Sequence, residues 1–232
     1  MGTIRIDTLE GDGAFDTYVA EPQSEPLAAV VVIQEIFGIN EGIRRKCGHW
    51  AEQGYLALAP DLFWRLRPGV ELDPDVPEEF SEALDLMGRF DQDQGVRDIE
   101  AAIRAARAGL GEGGKVGVVG YCLGGRLAYM AAAHTDSDAT VGYYAVGLAG
   151  ILHEKNAIAR PLMLHIAGAD HFVDEAEQRA IHEALDDHPR ATLHDYPGED
   201  HGFAAEMGKR RSDEAARLAD GRTAAFFAQH LG

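Results

Sequence analysis

The segment Gly120-Tyr121-Cys122-Leu123-Gly124-Gly125, placed directly after the apolar run Val116-Gly117-Val118-Val119, constrains this chain more than any other. A short, continuous apolar run bounded by turn residues reads as a strand buried on both faces. Helix-forming residues follow from Leu123 to Ala133. The join between them is a turn tight enough to be flanked by glycines. Such a turn exposes Cys122 at the carboxyl end of a parallel sheet. The helix behind it offers unpaired N–H groups and a positive dipole end, which favour a thiolate. The bland reading of the same residues is a glycine-rich turn around a small buried cysteine.

The rest of the chain repeats the strand-then-helix pattern. Residues 3–8 and 14–20 alternate in polarity around Gly11-Asp12-Gly13 and predict an antiparallel hairpin. Leu27–Ile33, Tyr55–Ala59, Val116–Val119, Thr140–Ala145, Pro161–Ala167 and Ala191–Tyr196 read as strands. Glu41–Gln53, two acidic segments (the second from about Gly95 to Ala108), Leu123–Ala133, Asp174–Leu185 and Ser212–His230 read as helices. Residues 60–77 read as a long irregular stretch. The expected fold class is α/β: a mostly parallel central sheet with helices on both faces and an N-terminal antiparallel hairpin, in one domain spanning 1–232. Ligands of such sheets sit at the carboxyl ends of the strands.

Charge narrows the partners. The chain has 21 basic and 39 acidic residues, net −18, which argues against nucleic acid and against an anionic membrane surface. From Glu71 to Glu100 there are eleven acids and two arginines, read as a solvated helix face. The two cysteines, Cys47 and Cys122, do not make a disulfide framework. The first residues lack an apolar signal core, and Leu27–Ile33 is too short to cross a bilayer. These features predict a protein of a reducing compartment, most simply the cytoplasm.

A thiol nucleophile needs a base, and the base needs an orienting acid. Among ten histidines, His201 stands out in the turn-rich Gly198-Glu199-Asp200-His201-Gly202-Phe203 after the last strand. Asp170 occupies a similar loop, Ala167-Gly168-Ala169-Asp170-His171, after the preceding strand. The order Cys122, Asp170, His201 is that of the α/β-hydrolases, and Gly-x-Cys-x-Gly-Gly is their nucleophile-elbow pattern with cysteine in place of serine. Taken singly, each loop residue reads more simply as an Asx turn or a solvent-exposed histidine; the three together at successive strand ends predict a catalytic triad. Glu35, at the end of another strand, is expected within hydrogen-bonding reach of Cys122 or of the elbow backbone, as a modulator of the Cys–His pair; its bland reading is a salt bridge or a loop cap. The loop after that strand supplies the second oxyanion-hole donor in such folds, which points to the Ile36 and Leu123 amides.

Six of the other histidines have structural readings: His165 in the core, His49, His134, His182 and His230 on helix surfaces, His171 beside the proposed acid. Cys47 falls on an apolar helix stripe with Ile43 and Trp50 and is expected in the core. No metal-ligand spacing is present, and Gly111-Glu112-Gly113-Gly114-Lys115 precedes a strand where a phosphate loop must precede a helix. No cofactor and no metal are therefore expected.

At this point the chain resembles the dienelactone hydrolase (carboxymethylenebutenolidase) family. The resemblance rests on Gln34-Glu35-Ile36-Phe37-Gly38, Ala59-Pro60-Asp61-Leu62, the 95–104 helix, 115–125, Val141-Gly142-Tyr143-Tyr144, Asp170-His171-Phe172-Val173 and His201-Gly202-Phe203. It implies an α/β-hydrolase fold, the Cys122–His201–Asp170 triad, the Ile36 and Leu123 oxyanion hole and a regulatory Glu35. It also marks departures. Two arginines with which the family's dienelactone-specific members hold a substrate carboxylate fall on Phe80 and Ala205, and a pocket tyrosine and tryptophan fall on Leu84 and Met87. With Phe37 and Phe203, these are the expected pocket residues. Arg126, Lys209, Arg210 and Arg211 are the basic residues able to replace the lost clamp; Arg126 reads more simply as a surface helix residue pointing elsewhere.

The expected reaction is hydrolysis of an ester or an enol lactone through an acyl thioester, with a small-molecule substrate other than the carboxylated dienelactone as the preferred one. The expected state is a monomer or weak homodimer. Two other readings remain open on the sequence: a hydrolase-fold ligand-binding protein without catalysis, and a cysteine-elbow enzyme of the amidotransferase type. The latter lacks its late His-x-Glu here.

Overall fold

A computed structural model describes residues 1–232. Eight strands form one sheet in the order β1-β2-β4-β3-β5-β6-β7-β8. The strands are β1 (Gly2–Asp7), β2 (Ala14–Ala20), β3 (Ala29–Ile33), β4 (Leu56–Pro60), β5 (Val116–Tyr121), β6 (Ala139–Tyr143), β7 (Leu162–Ala167) and β8 (Ala191–Tyr196). The first two pair antiparallel, β2 joins β4 antiparallel, and every other pair is parallel. Six helices cover the faces: α1 (Glu41–Glu52), α2 (Pro77–Arg89), α3 (Gln92–Leu110), α4 (Leu123–His134), α5 (Glu175–Leu185) and α6 (Asp213–Leu231). This is the α/β-hydrolase fold, with the hairpin at one edge.

The sequence dictates the layering. All residues of β3, β5, β6 and β7 are buried, as continuous apolar runs require of strands covered on both faces. Edge strand β1 shows one buried residue, Ile6, facing the core. Helix α1 buries Ile43, Cys47 and Trp50 along one stripe and starts where the Asn40 side chain accepts the Ile43 N–H. Asp174 caps α5 in the same way.

Two boundaries differ from expectation. Leu27 is 70% exposed, because its N–H bonds the Gly54 carbonyl outside the ladder and β3 starts only at Ala29. β6 ends at Tyr143, because Tyr144 turns the chain with φ of 35°. The irregular 60–77 stretch is well anchored: the Asp61 carboxylate accepts the Phe63 and Gly69 N–H groups, and Gly38 pairs with Glu71.

The chain runs from β3 outward to β4, then returns to place β5 on the other side of β3. The sheet order therefore switches between β3 and β5, where open α/β sheets hold their ligands. Register sharpens this. Ile33 lies opposite Gly120, so Glu35 and Cys122 each stand two residues beyond the last pair of these neighbouring strands.

Candidate active site

Cys122 sits at φ 59°, ψ −116°, between the end of β5 and the start of α4. An L-residue with positive φ is strained, and strain of this kind persists only where the surroundings over-determine it. Here they do. The Cys122 N–H bonds the Tyr143 carbonyl at 3.1 Å, and its own carbonyl accepts the Gly125 N–H at 2.9 Å. A Cβ on Gly120 would lie 1.9 Å from the Gly124 carbonyl oxygen, and one on Gly124 would lie 2.5 Å from the Gln34 carbonyl oxygen. The glycines thus let α4 settle directly on the ends of β3 and β5. Leu123 opens α4, so the helix leaves its N–H free, and the Ile36 N–H has no backbone partner.

His201 and Asp170 meet across the loops after β8 and β7. These loops are stitched together by the Ala169 N–H to the Glu199 carbonyl at 2.9 Å. His201 Nδ1 lies 2.8 Å from Asp170 Oδ2, and since a carboxylate only accepts, Nδ1 carries the proton. Asp170 Oδ1 accepts the Phe172 N–H at 2.8 Å, which fixes the carboxyl. His201 is 4% exposed, and its Nε2 is buried without a hydrogen-bond partner in the cavity that Cys122 also lines. Burial works against a charged imidazole, but the Cys122 and Asp170 charges overcome it and push His201 up to about 10.

Glu35 faces the same cavity. Burial raises its carboxyl above the ordinary range, against the pull of His201, Lys46 and Arg210. Contrary to expectation, its carboxyl makes no hydrogen bond to Cys122 or to the elbow backbone; at this residue the Gln34 side-chain amide donates to the main-chain carbonyl. Behind it, the Tyr144 hydroxyl is buried and unpartnered, and the Tyr144 ring meets His201 edge-on at 5.0 Å.

The cavity holds about 200 Å³. Phe37, Phe80, Leu84, Met87 and Ala205 line it, together with Ile36. Phe203 does not. It is fully buried and packs on Tyr144 at 5.5 Å and Tyr196 at 4.7 Å, because Gly202, at φ 80°, turns the chain inward after His201. Phe203 therefore backs the site. Phe172, Val146, Pro74 and Met207 also line the cavity and were not among the expected residues; of the four basic residues named as replacements for the clamp, Lys209 and Arg210 line it and Arg126 and Arg211 do not. Phe172 adjoins Asp170 and His171 in sequence, and that adjacency was the signal available for it.

The other residues singled out in the sequence fall into place. Cys47 is fully buried, and burial pushes its thiol upward. His165 is held by Tyr196 at 2.7 Å and Thr223 at 2.9 Å. His171 turns from the cavity and bonds Asp200 at 2.6 Å. With Asp170, that pair brings three possible metal-ligand atoms within 4.8 Å, but Asp170 already holds His201. Arg126 bonds Gln92 at 2.6 Å and the Gly147 carbonyl, away from the cavity. No helix is long and apolar enough to cross a membrane.

The fold is that of an α/β-hydrolase, with a strand–turn–helix elbow at its switch point. The chain belongs to the dienelactone hydrolase family, whose model, described as "Dienelactone hydrolase family", matches residues 15–231. It is 46% identical over 223 residues to a "Putative carboxymethylenebutenolidase" of Azospirillum brasilense, covering 95% of this chain and 96% of that one. It is 39% identical over 225 residues to a carboxymethylenebutenolidase of Pseudomonas putida, covering 97% and 95%. A crystal structure of a "Putative Dienelactone Hydrolase" from Klebsiella pneumoniae subsp. pneumoniae MGH 78578 superposes with a TM-score of 0.80 at 28% identity, covering 99% of this chain and all of that one.

Proposed function

We propose that this chain is a cysteine-dependent hydrolase of carboxylic esters or lactones that works through an acyl thioester. Cys122 is the nucleophile, His201 the acid–base group and Asp170 its orienting partner. The observation that carries this reading is the buried His201. One ring nitrogen is fixed on Asp170, and the other is left unpartnered in the cavity that holds Cys122.

The Cys122 thiolate adds to the substrate carbonyl carbon, and the carbonyl electron pair moves onto oxygen. The Ile36 and Leu123 amides receive that oxyanion, an interaction worth about 2–4 kcal/mol per donor in water-excluded sites. The intermediate collapses, the C–O bond to the leaving alcohol breaks, and protonated His201 gives its proton to the departing oxygen. Water then enters, His201 takes its proton, and hydroxide adds to the thioester. Collapse of this second intermediate releases the acid and restores the thiolate. A thiolate leaves a tetrahedral intermediate more readily than an amine, so esters, enol lactones and thioesters suit this site and amides do not.

Glu35 modulates the pair. Burial raises its carboxyl above the ordinary range, which weakens its competition with the thiolate for His201. The apolar surface of Phe37, Phe80, Leu84, Met87 and Ala205 favours an uncharged substrate body over the compact carboxymethylenebutenolide. Residues 1–232 act as one domain, in keeping with a hydrophobic core that runs unbroken from β1 to α6.

Purified Cys122→Ala, His201→Ala and Asp170→Ala are expected to keep the fold and lose at least about a thousandfold of kcat/KM on an activated aryl ester. Turnover at the wild-type level in Cys122→Ala sinks the reading.

A further inference from the structure

The cavity is apolar except at a few points, and besides His201 only two cations line it, Lys209 and Arg210. Lys209 stands beside the Asp75 carboxylate, 4.0 Å from it, and donates its backbone N–H to the same carboxylate. Its neighbour Arg211 is spent on Glu206 at 2.9 Å and Asp213 at 2.8 Å. Arg126 is engaged away from the cavity. Arg210 differs from all of them: it forms no ion pair and no hydrogen bond within the protein. Its guanidinium carbon lies 5.7 Å from the centre of the Phe80 ring and 5.4 Å from that of Phe172. Two aromatic faces hold the cation in place and leave its N–H edges free. A planar guanidinium prepared in this way suits a carboxylate, which it can take with two parallel hydrogen bonds. A chain of net charge −18 that keeps one unneutralised guanidinium at its cavity is set to read an anion locally, against its own overall field.

Position decides what kind of anion. The centre of the Phe172 ring lies 4.9 Å from that of His201 and 5.4 Å from the Arg210 guanidinium carbon. Arg210 is exposed while His201 and Cys122 are buried, so the cation stands at the rim of the cavity and the catalytic pair at its floor. A carboxylate attached close to the scissile carbonyl falls short of it and meets the apolar wall instead. We propose that Arg210, held between Phe80 and Phe172, is an anion subsite that selects esters or lactones with an apolar body and a carboxylate several bonds from the scissile carbonyl. This inference rests on the hydrolase reading above and names its substrate class.

The test compares kcat/KM for p-nitrophenyl hydrogen suberate with that for its neutral methyl ester. At low ionic strength the wild-type enzyme is expected to prefer the acid by about five- to tenfold, a size set by the exposure of the site. The preference falls toward unity in about 0.5 M salt and in Arg210→Gln. It persists in Arg5→Gln, which removes one charge from the distant strand β1. Carboxymethylenebutenolide against its methyl ester shows no preference that depends on Arg210. Equal use of both suberates by the wild type, or a preference unchanged in Arg210→Gln, overturns the proposal. Binding of monomethyl suberate to Cys122→Ala, with and without Arg210→Gln, reads the subsite apart from turnover. Binding lost with Arg210 upholds the subsite even where the thioester mechanism fails, and binding indifferent to Arg210 refutes it even where that mechanism holds.

Discussion

The floor of the cavity and its wall are built differently. The floor is backbone. Cys122, Ile36 and Leu123 stand where they do because β3 and β5 end side by side and α4 presses onto both ends, with a Gly124 Cβ barred by the Gln34 and Ile33 carbonyl oxygens at 2.5 and 2.6 Å. The wall is side chains carried by loops and by α2: Phe80, Leu84 and Met87 on one side, Phe172 and the 205–210 segment on the other. Leu84 and Phe172 are 46% and 44% exposed, while Cys122 is 8% exposed. A floor of this kind is over-determined and admits few changes. The wall loses little when one side chain changes, and it is where substrate preference can shift on an unchanged reaction.

That contrast can be broken experimentally. Its largest expected effect lies at the floor. Gly124→Ala places a methyl group inside two backbone oxygens that have no room to move, and a loss of at least about 3 kcal/mol of stability or of soluble protein is expected. Denaturant unfolding checks this, and wild-type stability in Gly124→Ala means that the floor is more plastic than described.

A smaller effect concerns pH. His201 is raised from an unfolded value near 6.5 to about 10 in the folded chain. A group raised in the folded state stabilises it fully below its unfolded pKa, and that contribution disappears as pH climbs through the folded one. The stability advantage of the wild type over His201→Gln is therefore expected to be largest near pH 6, on the order of 3 kcal/mol, and to shrink steadily toward pH 10. An advantage that grows with pH contradicts the charged imidazole.

The floor was also the part legible in the sequence. Apolar runs marked β5 and its neighbours, glycines marked the elbow, and polar residues placed just after strands proved to share one end of the sheet. Asp170 and His201 lie 31 positions apart and meet at 2.8 Å, because β7 and β8 run parallel as neighbours. The wall was read less well. Phe80, Leu84 and Met87 were found through the family resemblance, whereas Met207, Val146 and Pro74 sit in loops whose path no local periodicity records. Phe203 was misplaced for a physical reason. It follows His201 closely, but the positive φ of Gly202 reverses the chain and sends the ring under Tyr144. The Arg210 cage belongs to the same class, since a cation held by two rings from distant segments leaves no local pattern.

Hydrolysis by this route requires Cys122 to carry the acyl group. Rapid acid quench of the enzyme during turnover of an activated aryl ester, followed by mass spectrometry of the Cys122 peptide, tests this directly. The expected result is a peptide heavier by one acyl group, present during turnover and absent once substrate is exhausted. Steady turnover with that peptide never acylated, together with an active Cys122→Ala, contradicts it.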